Sequence, residues 1–371
     1  MTGELRFRPV GVPRLARVAP RALRELADDC LLLGVERAAV VFSRGLPDGI
    51  VSRVRRVLSA ARMCTAAEAE VTDGSLAERD AIAGAWASAG PDGVIAVGGG
   101  RALDVGKAVA ATLRAAGREG AEPGVPVVCV PTSLSHDGFA SPSSSLVNAA
   151  GERVTVRSPG PAGVVVDTAV VAAAPWSLTL AGVGDVMAKV TALADWQLAE
   201  HAGEGERVDG VAASIAESAV VLLERAELRP ETWSAATAES LARALLLGGV
   251  AMAVAGSSRP CSGSEHLLSH ALDRLRRPPG SHGIQVGLAA YLVSHLHDEH
   301  LPRRLATVYD RCGFWTGVCD EAKRGLSAAL LLEAARLAPS VRPGYRTVLN
   351  RPGAIERLGE VVASVWGRIV P

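Results

Sequence analysis

An excess of either charge is missing from this 371-residue chain: 39 Lys and Arg balance 39 Asp and Glu, for a formal net charge of zero. A nucleic-acid binder usually carries a basic excess, so that class is set aside. No C-x-x-C pair occurs. Cys30, Cys64, Cys129, Cys261, Cys312 and Cys319 are scattered, which points to reduced thiols and a cytoplasmic location. Residues 1–9 are polar and basic without an apolar run, so no secretory signal is expected there. The longest apolar stretch, residues 244–255, is too short to span a bilayer and contains glycines. It reads as a buried core helix, and no membrane partner is expected. What remains is a globular balance, 49% hydrophobic and 21% charged, in a chain long enough for two domains.

Short β-branched runs at residues 37–43, 92–97, 125–130 and 163–167 read as buried strands. Helical patterns at 51–61, 76–89 and 102–115 separate them, which implies βαβ units and a parallel sheet. Beyond Asp167 the character changes. Long amphipathic helices are expected at 180–202, 208–227, 232–255, 264–275, 284–297 and 323–337, with a loop at 276–280. The expected division is therefore an α/β N-terminal domain, 1–174, and an all-helical C-terminal domain, 175–371.

Two loops sit at the ends of expected strands. Gly98, Gly99 and Gly100 follow the second run and lead into a helix carrying Asp104 and Lys107. Such glycines let a backbone approach a phosphate closely, and the helix start offers free N–H groups to it. The spacing is neither G-x-G-x-x-G nor a Walker A loop, so a plain tight turn is the alternative. After the third run, Thr132, Ser133, Ser135, His136, Asp137 and Ser141 crowd a second polar loop. Ligands of open α/β sheets bind beyond the carboxyl ends of strands, which makes a dinucleotide cleft the joint reading.

The helical half offers metal donors. Asp185 follows a Gly-rich stretch and is expected at a helix start. His266 and His270 are spaced i, i+4 on one helix face, and His282 stands beside glycines at the next helix start. Asp185, His266 and His282 would form a three-ligand site with an open position, as catalytic sites have. Zn²⁺ suits this set best, with Ni²⁺, Fe²⁺ and Mn²⁺ also compatible. His201, His295, His297 and His300 read as ordinary histidines, the last three exposed in a charged stretch.

These residues together resemble the glycerol-1-phosphate dehydrogenases, within the superfamily of iron-containing alcohol dehydrogenases, glycerol dehydrogenases and 3-dehydroquinate synthases. The resemblance runs from about 92 to 296. It is carried by Gly98–Gly100 with Asp104 and Lys107, the block 131–141, Gly184 and Asp185, Asp195 and Trp196, the block 262–270, and the block 282–287. It implies a dehydroquinate synthase-like architecture with a Rossmann-like sheet. It also implies a homo-oligomer, metal ligation by Asp185, His266 and His282, and pyrophosphate binding at Gly98, Gly99, Gly100 and Asp104. Thr132, Ser133 and Ser141 would line NAD or NADP, and Asp137 would face substrate hydroxyls.

Two positions depart from the family pattern: Ile284 stands where an acidic residue is expected, and the first expected strand ends in Ser43 and Arg44. An arginine there could take the 2′-phosphate of NADP. The implied reaction is NAD(P)H-linked interconversion of dihydroxyacetone phosphate and sn-glycerol 1-phosphate. His270 or Asp137 would handle the proton, His270 because histidine titrates near neutrality. Lys189 is the first candidate for the substrate phosphate and Arg259 the second. The competing readings are another phosphorylated or phosphonate small ketone, a dehydroquinate synthase-like cyclase that recycles NAD, and a descendant with a dead metal site.

Overall fold

The computed structural model describes residues 10–113, 124–276 and 279–370. Residues 1–9, residues 114–115 of one expected helix and 277–278 of the expected loop lie outside the described residues. In chain order the first part comprises β1 (Leu15–Ala19), α1 (Leu26–Leu32), β2 (Arg37–Ser43), α2 (Asp48–Ala60), β3 (Cys64–Val71), α3 (Leu76–Trp86), β4 (Gly93–Gly98), α4 (Gly100–Thr112), β5 (Val127–Pro131), β6 (Ser143–Val147), β7 (Arg153–Arg157) and β8 (Gly163–Asp167). The rest is helical: α5 (Thr168–Ala172), α6 (Trp176–Met187), α7 (Lys189–His201), α8 (Gly210–Arg225), α9 (Ala235–Ala255), α10 (Ser264–Leu275), α11 (His282–Ser294), α12 (His300–Cys312), α13 (Phe314–Lys323), α14 (Ala328–Val341) and α15 (Ala354–Ile369).

Six strands form one sheet in the order β1-β8-β5-β4-β2-β3, every described pair parallel. Both faces are covered, as a parallel sheet requires. Ala39, Val41, Val94, Ala96 and Val164 pack into a core that continues through the helical part to Leu358. Their neighbours Val40, Ile95, Val97 and Val128 face the opposite layer, under α1 and α2. The four expected strands are present. β1 and β3 lie at the two sheet edges and were not expected, because an Ala- and Glu-rich run such as β3 has weak strand propensity. β6 and β7 form a separate antiparallel hairpin, also unanticipated.

The expected single helix over 180–202 is two, α6 and α7, meeting at Ala188. Likewise 323–337 is cut by Gly325, whose φ of 98° ends α13 before α14 begins. Two helical stretches, Trp176–His201 and Ala235–Ala255, are long and apolar enough to cross a membrane, yet most of each is buried inside the protein. The apolar run 244–255 forms the second half of α9.

Asp185 is not at a helix start. It lies in the last turn of α6, and Gly182 and Gly184 are helical rather than a turn. Their small size is needed for close approach. A Cβ on Gly182 would strike the Leu134 carbonyl, and one on Gly184 the Gly283 carbonyl. These contacts seat α6 against the loop after β5 and against the start of α11. Gly184→Ala should therefore destabilise the fold by about 1–3 kcal/mol through overpacking. An unchanged urea midpoint would show that α11 yields without strain.

Candidate active site

The first loop leaves the carboxyl end of β4. Gly98 has a φ of 145°, and a Cβ there would strike the Ser43 hydroxyl. The Ser43 hydroxyl accepts from the Gly99 N–H at 3.0 Å, and the Thr132 N–H donates to the Gly98 carbonyl at 3.0 Å. Gly99 caps α4 with no side-chain hydrogen bond to the helix N-terminus, and the space where its Cβ would stand is open. Gly98, Gly99, Gly100, Thr132 and Ser133 are thus gathered at the ends of adjacent strands β4 and β5. Unclaimed N–H groups there suit an anion.

Asp104 and Ser141 stand differently from expectation. Asp104 pairs with Lys107 at 3.0 Å. The Lys107 ammonium is fully buried and donates to the carbonyls of Gly138, Ser141 and Ser143. Ser141 is 3% exposed, and its hydroxyl lies 3.3 and 3.2 Å from the Gly138 and Ser143 carbonyls, either of which can take its proton. Both residues help secure the loop from inside. A carboxylate could in any case offer a pyrophosphate no donor. Arg44 extends into solvent 3.9 Å from Glu70, at the end of the second strand rather than the first.

Asp185 from α6, His266 from α10 and His282 from α11 bring one ligand atom each to within 4.8 Å of one another. Both histidines are oriented by neighbours, as metal-binding histidines usually are. His266 Nδ1 lies 2.9 Å from Glu265 Oε1, which assigns its proton to Nδ1 and leaves Nε2 with a lone pair. Glu265 is itself fixed by the Gly263 N–H at 2.5 Å and the Thr191 hydroxyl at 2.8 Å. Ser269 connects His282 Nδ1, at 3.5 Å, to Gln285 Oε1, at 3.3 Å.

Around this cluster the charges are close and dry. The Asp137 N–H donates to Asp185 Oδ2 at 3.0 Å, and Lys189 Nζ lies 2.9 Å from Asp137 Oδ2 and 3.7 Å from Asp185 Oδ2. Burial, then the Asp137 charge, raises the Asp185 carboxyl. Burial works the same way on Asp137, but Lys189 outweighs it and holds that carboxyl low. Burial also works to lower His266, yet Glu265 raises it overall. His282 is pushed well down by burial and by His266 and His270.

His270 is at the site, its ring centroid 6.2 Å from His282 and 6.3 Å from His266. Burial and the neighbouring His266 lower it to about 4, so it is neutral at pH 7 and does not titrate near neutrality as expected. Lys189 is fully buried between two carboxylates, so it serves as their counter-ion and presents no free ammonium to a substrate phosphate. Arg259 is also buried. It stacks 3.6 Å over Tyr345 and donates to the Arg346 carbonyl at 2.7 Å, pinning the segment before α15 instead of facing the cluster.

The histidines read as exposed divide. His300 is exposed, and His295 is half-buried against Tyr291. The His297 side chain is only 6% exposed and lies 3.3 Å from Asp195 Oδ1. Asp195 also takes the N–H groups of Ser264 and Val348, each at 2.6 Å, and so anchors the start of α10. Sequence reasoning missed Glu265 and His136. His136 lies edge-on to His282 at 6.4 Å, and its presence in the second polar loop was the available signal.

A family model of iron-containing alcohol dehydrogenases matches residues 17–175. A glycerol-1-phosphate dehydrogenase (NAD(P)+) from Thermofilum pendens is 41% identical over 303 residues, 80% of each chain. One from Methanosarcina acetivorans is 31% identical over 94% of this chain and 95% of its own. In three dimensions, a probable glycerol dehydrogenase from Sinorhizobium meliloti superposes with a TM-score of 0.74 over 98% of this chain and 99% of its own, at 20% identity. With this degree of similarity along nearly its whole length, the chain belongs to the glycerol-1-phosphate dehydrogenase family.

Proposed function

We propose that the chain is a metal-dependent, NAD(P)H-linked oxidoreductase that interconverts dihydroxyacetone phosphate and sn-glycerol 1-phosphate. The observation that carries this reading is the convergence of Asp185, His266 and His282, from three helices, on one point. Their chemistry fits a divalent cation. Asp137, Asp185 and Glu265 are buried with Lys189 as the ammonium among them. With the histidines neutral, as ligation requires, two negative charges are left over. A dication balances them, and three mixed O and N donors suit Zn²⁺, with Ni²⁺ and Fe²⁺ compatible.

When bound, the nicotinamide supplies the hydride and the cation supplies Lewis acidity at the ketone oxygen. The chain does the rest. Gly98, Gly99 and Gly100 with the start of α4, joined by Thr132 and Ser133, hold the pyrophosphate of NAD or NADP. Asp137, fixed by Lys189, faces the substrate hydroxyl. His270, neutral, can pass a proton inward from solvent without becoming charged, since one ring nitrogen donates while the other accepts.

Dialysis against a chelator should abolish NAD(P)H oxidation by dihydroxyacetone phosphate, and Zn²⁺, Ni²⁺ or Fe²⁺ should restore it. Full turnover by metal-free protein would sink the reading. Turnover of a substrate without net change at the nicotinamide absorbance band would mark a cyclase instead. Glu265→Gln should weaken metal binding about 10- to 100-fold in a chelator competition, because the His266 orientation is lost. Unaltered affinity would remove Glu265 from the site.

A further inference from the structure

With Lys189 and Arg259 both enclosed, the substrate phosphate needs another cation. The hairpin of β6 and β7 supplies one. Both ends of it are tied to the sheet layer, by Lys107 holding the Ser143 carbonyl and by the Val147 N–H donating to the Gly74 carbonyl at 3.0 Å, and the Ser144 and Ser158 hydroxyls meet at 2.8 Å across its open end. From the first residue of β7, Arg153 reaches across to α10, with Nε 3.7 Å from Asp273 Oδ2.

Asp273 lies three residues beyond His270 and seven beyond His266 on α10. It therefore shares their helix face, roughly 10 Å along the axis from the His266 ligand position. The Arg153 side chain is 44% exposed, so solvent and solutes reach it. Its charge is felt at both His270 and His282, lowering each. A guanidinium is a planar fork of five donors. The Nε edge leans on Asp273, and the terminal nitrogens have no hydrogen-bond partner among the described residues.

We propose that Arg153, tethered by Asp273 at the rim of the histidine cluster, grips the phosphate of the substrate. The inference rests on the ketone-phosphate reading above. It makes the hairpin a specificity element, joining the sheet layer to the helix that carries His266.

Two arms test it, with the metal-loaded, NAD(P)⁺-saturated protein for binding and the metal-loaded enzyme for kinetics. Calorimetric titration with inorganic phosphate should show affinity falling about tenfold or more in Arg153→Ala, in keeping with a lost charge-assisted hydrogen bond. Arg153→Lys should recover part of it. Arg157→Ala, an exposed arginine on the same strand, should change nothing. In the kinetic arm, KM for dihydroxyacetone phosphate should rise similarly in Arg153→Ala, with KM for NAD(P)H and the thermal midpoint unchanged. Wild type that binds no phosphate, or binds it equally after Arg153→Ala, overturns the assignment. Phosphate binding that depends on Arg153, in a wild type that cannot turn over dihydroxyacetone phosphate, leaves the assignment standing and overturns the functional reading.

Discussion

Carboxylates taken out of water must be balanced, and this constraint organises the active half of the molecule. Asp185 is 2% exposed and touches a second buried carboxyl, Asp137, through that residue's own N–H. An unpaired buried charge costs several kcal/mol, so neither group could stay ionised alone. Lys189 answers one of them from the first turn of α7. The charge left on Asp185, beside the lone pairs of the facing histidines, makes the place fit for a cation. The dry charge cluster is poorly explained as a stability device, because apolar residues would fill the same space at less cost. It is well explained as a site.

Close backbone approach is the second requirement, and it explains glycines that look like turn formers. Gly182 and Gly184 sit inside α6 where side chains would push it off the Leu134 and Gly283 carbonyls. Gly283, one residue after His282, meets the Ala181 carbonyl in the same way. The distance between Asp185 and His282 is thus set by backbone packed on backbone, which leaves little room for drift. Asp195 performs the matching task for His266, holding the first N–H of α10.

Much of this was legible in the sequence, for identifiable reasons. Val-rich β4, β5 and β8 are buried on both faces and read as continuous apolar runs. α10 was bounded correctly because its polar and apolar positions alternate with helical period. Edge strand β3 escaped, since half-solvated Ala and Glu carry little strand signal. At the site, spacing put His266 and His270 on one face and placed Lys189 near Asp185. Burial was not legible: the same Lys189 that reads as a free cation is enclosed, and an Asp104 that reads as cofactor-facing is paired with Lys107. Glu265 was hidden for a different reason. Adjacent helix positions point apart, so nothing in the sequence says its carboxylate turns back to the His266 ring.

The charge balance also divides the labour of recognition. If a dication neutralises the inner cluster, the pocket as a whole offers an anionic substrate no net attraction. Donors for a phosphate must then come from outside that cluster, and from a group that has not been enclosed to satisfy it. On the reading proposed above, the glycine turn before α4 is taken up by the cofactor's own phosphates. Of the positive groups considered for the substrate, Lys189 is neutralised within and Arg259 is stacked on Tyr345. An arginine on a hairpin is free of both constraints: it lies at the rim, where a guanidinium stays hydrated until an anion arrives. Selectivity for a phosphorylated ketone over a bare one thereby becomes a property of the hairpin, separable from the chemistry of the cluster beneath it.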